Sequence, residues 1–209
     1  MIDRLVRSWQ QAPHFVQMID IDATAVKAAL AAAKAAGSTI TLNDFLIEAC
    51  VLAVQAEPSV NAHIRGTRLV THGQIVISLA VDTARGLRTP KIPIADPSLD
   101  AIARQRVQAI AAIQQGSVLP DQDHPAVVTI SNLGKFGIKA GTPVLNLDEP
   151  VLVFAGAIED RVVAIDGAVV VRPYMTLSIA YDHRVVDGMQ AARFTSAIKA
   201  RLENTGVGQ

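Results

Sequence analysis

The sequence contains little of several residue types, and each shortage excludes a class of protein. Its 209 residues include one cysteine, Cys50, so an internal disulfide and a cysteine-rich zinc cluster are both excluded. Aromatic residues make up only 4%, so the core must be built from alanine, valine, isoleucine and leucine. Nineteen basic residues balance nineteen acidic ones, which leaves no basic field for nucleic acid. Cys50 lies in an apolar run, 45–54, which predicts a buried and unreactive thiol.

Long apolar runs and linker sequences are also missing. No stretch reaches membrane-spanning length, and the first residues do not form a secretory signal, so we predict a cytoplasmic protein without a membrane partner. We find no low-complexity tract, no Pro/Ser-rich linker and no internal repeat, which predicts one domain over residues 1–209. Half of the residues are hydrophobic and 18% are charged, as in globular proteins. Zero net charge weakly favours self-association.

The hydrophobic periodicity predicts an α/β fold with mixed strands and with helices placed early and at the C-terminus. Helices are predicted over residues 2–11, 24–36, 42–56, 98–115 and 187–202. Strands are predicted over residues 15–22, 62–64, 69–71, 74–82, 126–131, 151–157, 162–165, 168–171 and 176–181. The run Thr41-Leu42-Asn43-Asp44 fits a capping box, and Ser98 is expected to cap the fourth helix.

His183 is the first candidate for chemistry, in the run Tyr181-Asp182-His183-Arg184-Val185-Val186-Asp187-Gly188. It follows a predicted strand and precedes the last helix, at a junction where side chains are exposed at a sheet edge. Asp187 lies four residues further on, at the start of that helix. Imidazoles are the usual general bases near neutral pH. The same spacing also fits a structural histidine in a polar turn, where aspartate, histidine and arginine form a local ion network.

Ser131 is the second candidate, in the run Val128-Thr129-Ile130-Ser131-Asn132-Leu133-Gly134. It ends an apolar strand and opens a loop that contains glycine. A hydroxyl in that position can donate a hydrogen bond to a developing oxyanion. The alternative is a serine that bonds only to its own loop. The other histidines, at positions 14, 63, 72 and 124, lack the spacing of metal ligands, and we predict no metal site.

The two runs together resemble the catalytic domain of dihydrolipoyl acyltransferases, the core component of 2-oxo acid dehydrogenase complexes. Residues 182–188 match the Asp-His-Arg-x-x-Asp-Gly signature, and residues 129–134 match a Thr-Ile-Ser-Asn-Leu-Gly segment. Ser131 and His183 are 52 residues apart, the separation that the family leads us to expect. Weaker matches extend the resemblance over nearly the whole chain, at residues 13–15, 42–45, 58–62, 80–83 and 86–90.

The resemblance implies a chloramphenicol acetyltransferase-like fold, a mixed β-sheet flanked by helices, and a CoA-dependent acyltransferase. His183 would be the general base, Ser131 would donate to the oxygen of the tetrahedral intermediate, and Asp187 would hold the local geometry. Asn132 and Gly134 would contact CoA or acetyl-CoA, and no metal would take part. The family also implies a homotrimer with active sites between subunits, where the base of one copy faces the serine of its neighbour. The acceptor would be a lipoyl group or a small-molecule or carrier-bound group.

The sequence departs from the family in three places. It contains no lipoyl attachment site, because Lys34 lies in a predicted helix and Lys91 lies between prolines, and it contains no subunit-binding domain. Met1 falls inside the family's first helix. The last residues, 202–209, are polar, whereas members that build large cores usually end in bulky apolar residues. A polar tail buries little apolar area against another trimer, so we expect an isolated trimer.

Two other functions remain open from the sequence. One is a stand-alone O-acetyltransferase of a biosynthetic pathway, for example in tetronate acetylation, because some relatives without lipoyl domains act in this way. The other is an inactive structural core subunit. An inactive subunit would be expected to lose its general base, whereas His183, Ser131 and Asp187 are all present here.

Overall fold

The computed structural model describes residues 2–84, 86–116 and 124–205. The helices are α1 (Ile2–Gln11), α2 (Thr24–Ala35), α3 (Leu42–Ala56), α4 (Leu99–Gln114) and α5 (Gly188–Glu203). The strands are β1 (His14–Asp22), β2 (Ala62–Arg65), β3 (Arg68–Thr71), β4 (Ile75–Leu79), β5 (Lys91–Ile94), β6 (Val128–Asn132), β7 (Val151–Ala155), β8 (Glu159–Ile165) and β9 (Ala168–Asp182). The predicted number and order of elements agree with these assignments, apart from the strands discussed below.

One mixed sheet organises the described residues. Its strands lie in the order β1-β9-β7-β6-β4-β5, and β8 pairs with the first half of β9. Strands β4, β6 and β7 are parallel to one another, while β1, β5 and β8 are antiparallel to the strands beside them. A separate hairpin is formed by β2 and β3. The mixed α/β architecture predicted from the sequence is therefore confirmed.

The alternation of side chains along the strands divides the sheet into two faces. On one face the strands pack beneath the helices, and the fully buried aliphatic residues of α3 and α5 belong to the same hydrophobic cluster. On the other face a smaller cluster joins Leu152, Phe154 and Ala180 to Ala12 and Leu145. Leu145 belongs to the long segment 138–150, so this segment, rather than a helix, covers part of the second face.

Helix α3 begins where the sequence predicted it. The backbone N–H of Thr41 donates to the Asp44 carboxylate at 2.7 Å, which completes the predicted capping box. Asp44 is fully buried and also accepts from Arg106 of α4 at 2.7 Å, so the cap is tied to a neighbouring helix. Cys50 lies in the middle of α3 with no exposed surface, and burial raises the pKa of its thiol, as expected of an inert cysteine.

The structure differs from the prediction at two strands and in the hydrogen bonding of one cap. Strand β9 continues from Ala168 to Asp182 through Pro173, where two shorter strands were predicted. Pro173 is tolerated because its hydrogen-bonding side points beyond the last pair of the β1–β9 ladder. Its carbonyl accepts from the N–H of Ala23 there, and the ladder requires no N–H from residue 173. Strand β5 was missed because it contains Pro93, but it is an edge strand, where proline is allowed. Ser98 does precede α4, but its hydroxyl makes no capping hydrogen bond.

Candidate active site

His183 lies in a turn that its two neighbours build. Asp182, the last residue of β9, accepts from both the backbone N–H and the guanidinium of Arg184, with a shortest contact of 2.6 Å. The carbonyl of Asp182 accepts the N–H groups of Val185 and Val186 at 2.9 Å. The hydrogen bonds with Asp182 raise the pKa of the Arg184 guanidinium. The local ion network considered from the sequence therefore exists, but it consists of Asp182 and Arg184 and leaves the imidazole outside it.

The imidazole of His183 is exposed and is positioned by an aromatic ring. Its backbone N–H donates to the carbonyl of Pro13 at 2.9 Å, which fixes the turn against the start of β1. The ring of Phe15 lies 4.7 Å from the imidazole, centroid to centroid, at an angle of 47°. Phe15 in turn stacks on the buried Tyr181 at 5.2 Å. Within the described ranges the imidazole nitrogens make no hydrogen bond, so both are available to a ligand.

Asp187 is the N-terminal cap of α5. Its carboxylate accepts from the backbone N–H groups of Met189 and Gln190, each at 2.8 Å. The Gln190 side chain accepts from the N–H of Asp187 at 2.8 Å, which completes a second capping box. The carboxylate therefore caps the helix four residues after His183, and its role in the active site stays a prediction.

Ser131 and its neighbours lie at the far end of β6. Ser131 is half-buried in the strand, and Asn132 ends it. The Asn132 amide donates to the side-chain oxygen of Asn43 at 2.8 Å and accepts from the N–H of Gly134 at 3.0 Å. A Cβ at Gly134 would lie 2.7 Å from the carbonyl oxygen of Gly156. This close approach of two backbones explains why glycine occupies position 134.

A cavity of about 460 Å³ opens beyond this end of β6. Asn132 and Gly134, the predicted CoA contacts, are among its lining residues. Asn43 and Lys135 also line it, and the sequence had not indicated either of them as a site residue. The sequence analysis used Asn43 in a capping box and in the weaker family match at residues 42–45, and that match is the signal that could have indicated α3 as part of the site. Aliphatic residues of the β4 end and of α4 complete the wall, so the cavity offers both apolar surface and a few polar groups.

The sheet register separates the two predicted catalytic residues within one chain. Ser131 is level with Phe154 of β7, and Phe154 is level with Ser178 of β9. His183 lies five residues beyond Ser178, past the opposite end of the sheet. With about 3.3 Å per residue and about 4.8 Å between strands, Ser131 and His183 lie roughly 15–20 Å apart. One chain therefore does not bring the base and the oxyanion donor to the same reacting group.

Two kinds of feature are missing from the part of the chain that the structure describes. No three histidine, cysteine, aspartate or glutamate side chains there lie together in a way that would hold a metal ion. None of the described helices has both the length and the apolar character needed to cross a bilayer.

Comparison with known proteins places the chain in one family. The family model of the 2-oxoacid dehydrogenases acyltransferase catalytic domain matches residues 1–207. The acetyltransferase component of the pyruvate dehydrogenase complex of Zymomonas mobilis is 35% identical over 205 residues, which cover 96% of this chain and 47% of the relative. The chain thus spans about half the length of this relative.

Solved structures agree with that match. A probable dihydrolipoamide acetyltransferase from Listeria monocytogenes gives a TM-score of 0.91 at 27% identity, over 100% of this chain and 92% of that one. The dihydrolipoamide acetyltransferase of Azotobacter vinelandii and the cubic core of the pyruvate dehydrogenase multienzyme complex each give 0.89 at 32% identity, over 97% and 86%. Chloramphenicol acetyltransferase gives 0.62 at 17% identity over 92% and 86%, which confirms the predicted fold. The chain belongs to the family of 2-oxoacid dehydrogenase acyltransferase catalytic domains.

Proposed function

We propose that this chain transfers an acyl group, in the simplest case acetyl, between CoA and an acceptor thiol, in an active site formed by two copies. The observation that carries the proposal is the sheet register, which places His183 and Ser131 at opposite ends of the sheet. If both residues act on one thioester, as their family motifs imply, the base must come from one subunit and the oxyanion donor from the next.

The proposed reaction needs no covalent intermediate on the protein. His183 removes the proton from the acceptor thiol, and the thiolate attacks the thioester carbonyl. The Ser131 hydroxyl donates a hydrogen bond to the oxygen of the tetrahedral intermediate, where such a donor is typically worth about 3–4 kcal/mol of barrier. Collapse of the intermediate expels the other thiolate, which takes the proton back from the imidazolium. The exposed imidazole with no hydrogen bond in the described ranges fits this exchange.

The Azotobacter vinelandii enzyme supports these assignments. Its structure was studied for the role of a serine, a histidine and an asparagine in the catalytic mechanism. The serine and histidine of that enzyme are 52 residues apart, and the asparagine follows the histidine by four. Ser131, His183 and Asp187 have the same intervals here, with aspartate at the third position. We therefore assign Ser131 and His183 the catalytic roles and Asp187 the capping role that its contacts describe.

We assign CoA to the cavity beside Asn132. Its volume suits part of an extended ligand, and its wall combines the Asn43 and Asn132 amides with aliphatic surface. Lys135 adds a positive charge at the rim, where a phosphate of CoA would be stabilised. The proposed mechanism uses no metal ion. The acceptor that we propose is a lipoyl dithiol carried on another segment or chain.

The assembly that we propose is the homotrimer that the family resemblance implies. In a closed ring of identical head-to-tail contacts, the histidine of each copy meets the serine of the next. The single chain leaves apolar surface exposed on the β8–β9 ribbon, where Val162, Val169 and Val171 are 64–78% exposed, and at Met18 and Phe136. Surfaces of this kind mark contacts with other chains. Residues 206–209 of the polar tail lie outside the described residues, so the isolated trimer stays a prediction. The cytoplasmic location also stays a prediction. A sedimentation mass of 24 or 60 chains of 22.1 kDa would contradict the isolated trimer.

The acceptor can be identified by following CoA release from acetyl-CoA with two acceptors offered separately. We expect rapid transfer to free dihydrolipoamide and a loss of about 10²–10⁴-fold in kcat for His183→Ala. Transfer only to a hydroxyl acceptor would instead support the stand-alone O-acetyltransferase. Absence of CoA release with any acceptor, unchanged by His183→Ala, would identify an inactive structural subunit. Lys34→Ala, on an exposed helix surface, is a control that should keep full activity.

A further inference from the structure

Two histidines that have no part in the proposed reaction lie in direct contact at the base of the β2–β3 hairpin. Nδ1 of His63 is 2.5 Å from Nε2 of His72, and the two rings stack with centroids 4.6 Å apart and an angle of 15°. His63 is 7% exposed, and His72 is half-buried. A contact this close between two ring nitrogens requires that one nitrogen carries a proton and the other does not.

The contact joins the two sides of the hairpin at its base, because His63 lies in β2 and His72 directly follows β3. Asn61, which precedes β2, donates from its amide to the carbonyls of His72 and Gln74 at 2.9 and 3.1 Å. The N–H of His72 donates to the carbonyl of Asn61 at 2.9 Å. The histidine pair therefore lies at the base of the hairpin, where the segment that follows α3 meets the segment that leads into β4. If the two rings separate, these hydrogen bonds at the base of the hairpin lose their nearest packing support.

The charges around the pair oppose its protonation. Burial lowers the pKa of His63, and Arg65 on the same strand lowers it further, while Asp148 raises it. Burial also lowers the pKa of His72, with additional contributions from the charges of His63, His124 and Arg65. A second proton would leave two donors facing each other and two like charges in contact, so the pair holds together only while at least one ring is neutral.

We propose that the His63–His72 pair is a pH-sensitive latch that holds the β2–β3 hairpin closed near neutral pH and opens it on acidification. Both rings bind protons more weakly in the closed form than when solvated. Opening therefore takes up protons, and closure loses stability as the pH falls below the ordinary histidine value of about 6.5. With two protons taken up, the opening equilibrium constant rises by up to about a hundredfold per pH unit.

Asp148 links the latch to the turn that contains His183. Its negative charge raises the pKa of both His63 and Arg184, the arginine that shapes the turn. Asp148 also has a left-handed backbone, with φ of 69°, which non-glycine residues adopt rarely.

The latch can be tested without an activity assay, by hydrogen-exchange protection factors of the hairpin amides and by NMR titration of the imidazoles between pH 8 and pH 4.5. In the unmodified chain we expect both rings to titrate below 6.5 and hairpin protection to fall with pH. His72→Gln should keep a neutral partner for His63 and reduce the slope to at most about tenfold per pH unit, because one proton fewer is taken up.

Charge variants next to the pair give the sharper test. Arg65→Gln should move the titration of both rings in the closed form to higher pH and the opening transition to lower pH, because closed rings that bind protons more strongly lose less stability on acidification. Asp148→Asn should move the His63 titration to lower pH and the opening transition to higher pH. Arg68→Gln is the matched control, since Arg68 is paired with Arg65 across the hairpin but does not act on either histidine pKa. Titration of both rings at or above 6.5, protection that does not change with pH, or equal midpoints for Arg65→Gln and Arg68→Gln would each overturn the proposal.

Discussion

The two ends of the central sheet hold their functional residues by different means. At the Ser131 end the backbone itself is closely packed, with Gly134 against Gly156 and the Asn132 amide bridging the loop to α3. At the His183 end side chains determine the geometry, through the Asp182–Arg184 pair and the ring of Phe15. An oxyanion donor must stay at one fixed point, which a packed backbone ensures. A base must exchange protons with an incoming acceptor, which an exposed and unbonded imidazole permits.

The largest effect should come from removing the serine and the histidine in different subunits of one trimer. Ser131→Ala and His183→Ala should each lower kcat, by about 10²–10³-fold and about 10²–10⁴-fold. When the two variants are expressed together, one of the three interfaces in each mixed trimer combines an intact serine with an intact histidine, so activity should recover to about one third of that of the unmodified trimer. The measurement is kcat of co-purified mixed trimers, made with two different tags. Activity no higher than the average of the two variants would show that each site lies within one chain.

The packed end should be destabilised most by an added methyl group at Gly156. A Cβ there would overlap the carbonyl oxygen of Lys139, which is backbone and cannot swing away. We expect Gly156→Ala to lower the free energy of unfolding by about 3 kcal/mol or more, at the upper end of overpacking effects. Urea unfolding followed by circular dichroism measures the change. Gly141→Ala is the control, because its Cβ would make an ordinary contact of 3.9 Å with the Phe154 ring.

The base end should respond to loss of the Phe15 ring with a smaller loss of kcat. Aromatic pairs contribute about 0.5–1.5 kcal/mol beyond their area, so Phe15→Ala should lower kcat by up to about tenfold through a less ordered imidazole. The KM for CoA should change little, since Phe15 contacts the imidazole and does not line the proposed CoA cavity. Phe15→Tyr keeps the ring and should retain most of the activity. A rise in KM with constant kcat would assign Phe15 to substrate binding instead.

The smallest effect is expected at Asp187. Asparagine and aspartate cap helices about equally well, so Asp187→Asn should leave stability and kcat nearly unchanged. Asp187→Ala should cost about 1 kcal/mol of unfolding free energy, because two backbone N–H groups of α5 lose their acceptor. Thermal unfolding and kcat measured on both variants check this. A strong loss of kcat in Asp187→Asn at normal stability would show that the carboxylate takes part in the chemistry.

Local patterns in the sequence predicted the elements and several of their ends. The capping box at Thr41 and Asp44 was predicted because its hydrogen bonds join residues three apart. The full length of β9 and the edge strand at Pro93 were not predicted. Whether a proline is tolerated in a strand depends on which side of it is paired, and only the sheet order settles that. Phe15 was noted as part of a family motif, but nothing in the chain indicated that its ring would lie against an imidazole from residue 183.

The sequence by itself determined the family and the identity of the candidate residues, because the runs around Ser131 and His183 are specific, ordered and separated by 52 positions. The tertiary structure decided where these residues lie relative to one another. Strand register depends on hydrogen bonds between segments far apart in the chain, and it puts the serine and the histidine at opposite ends of the sheet. The same long-range pairing brings Asn43 to the cavity beside Asn132 and places His63 against His72, and a linear pattern can encode neither contact.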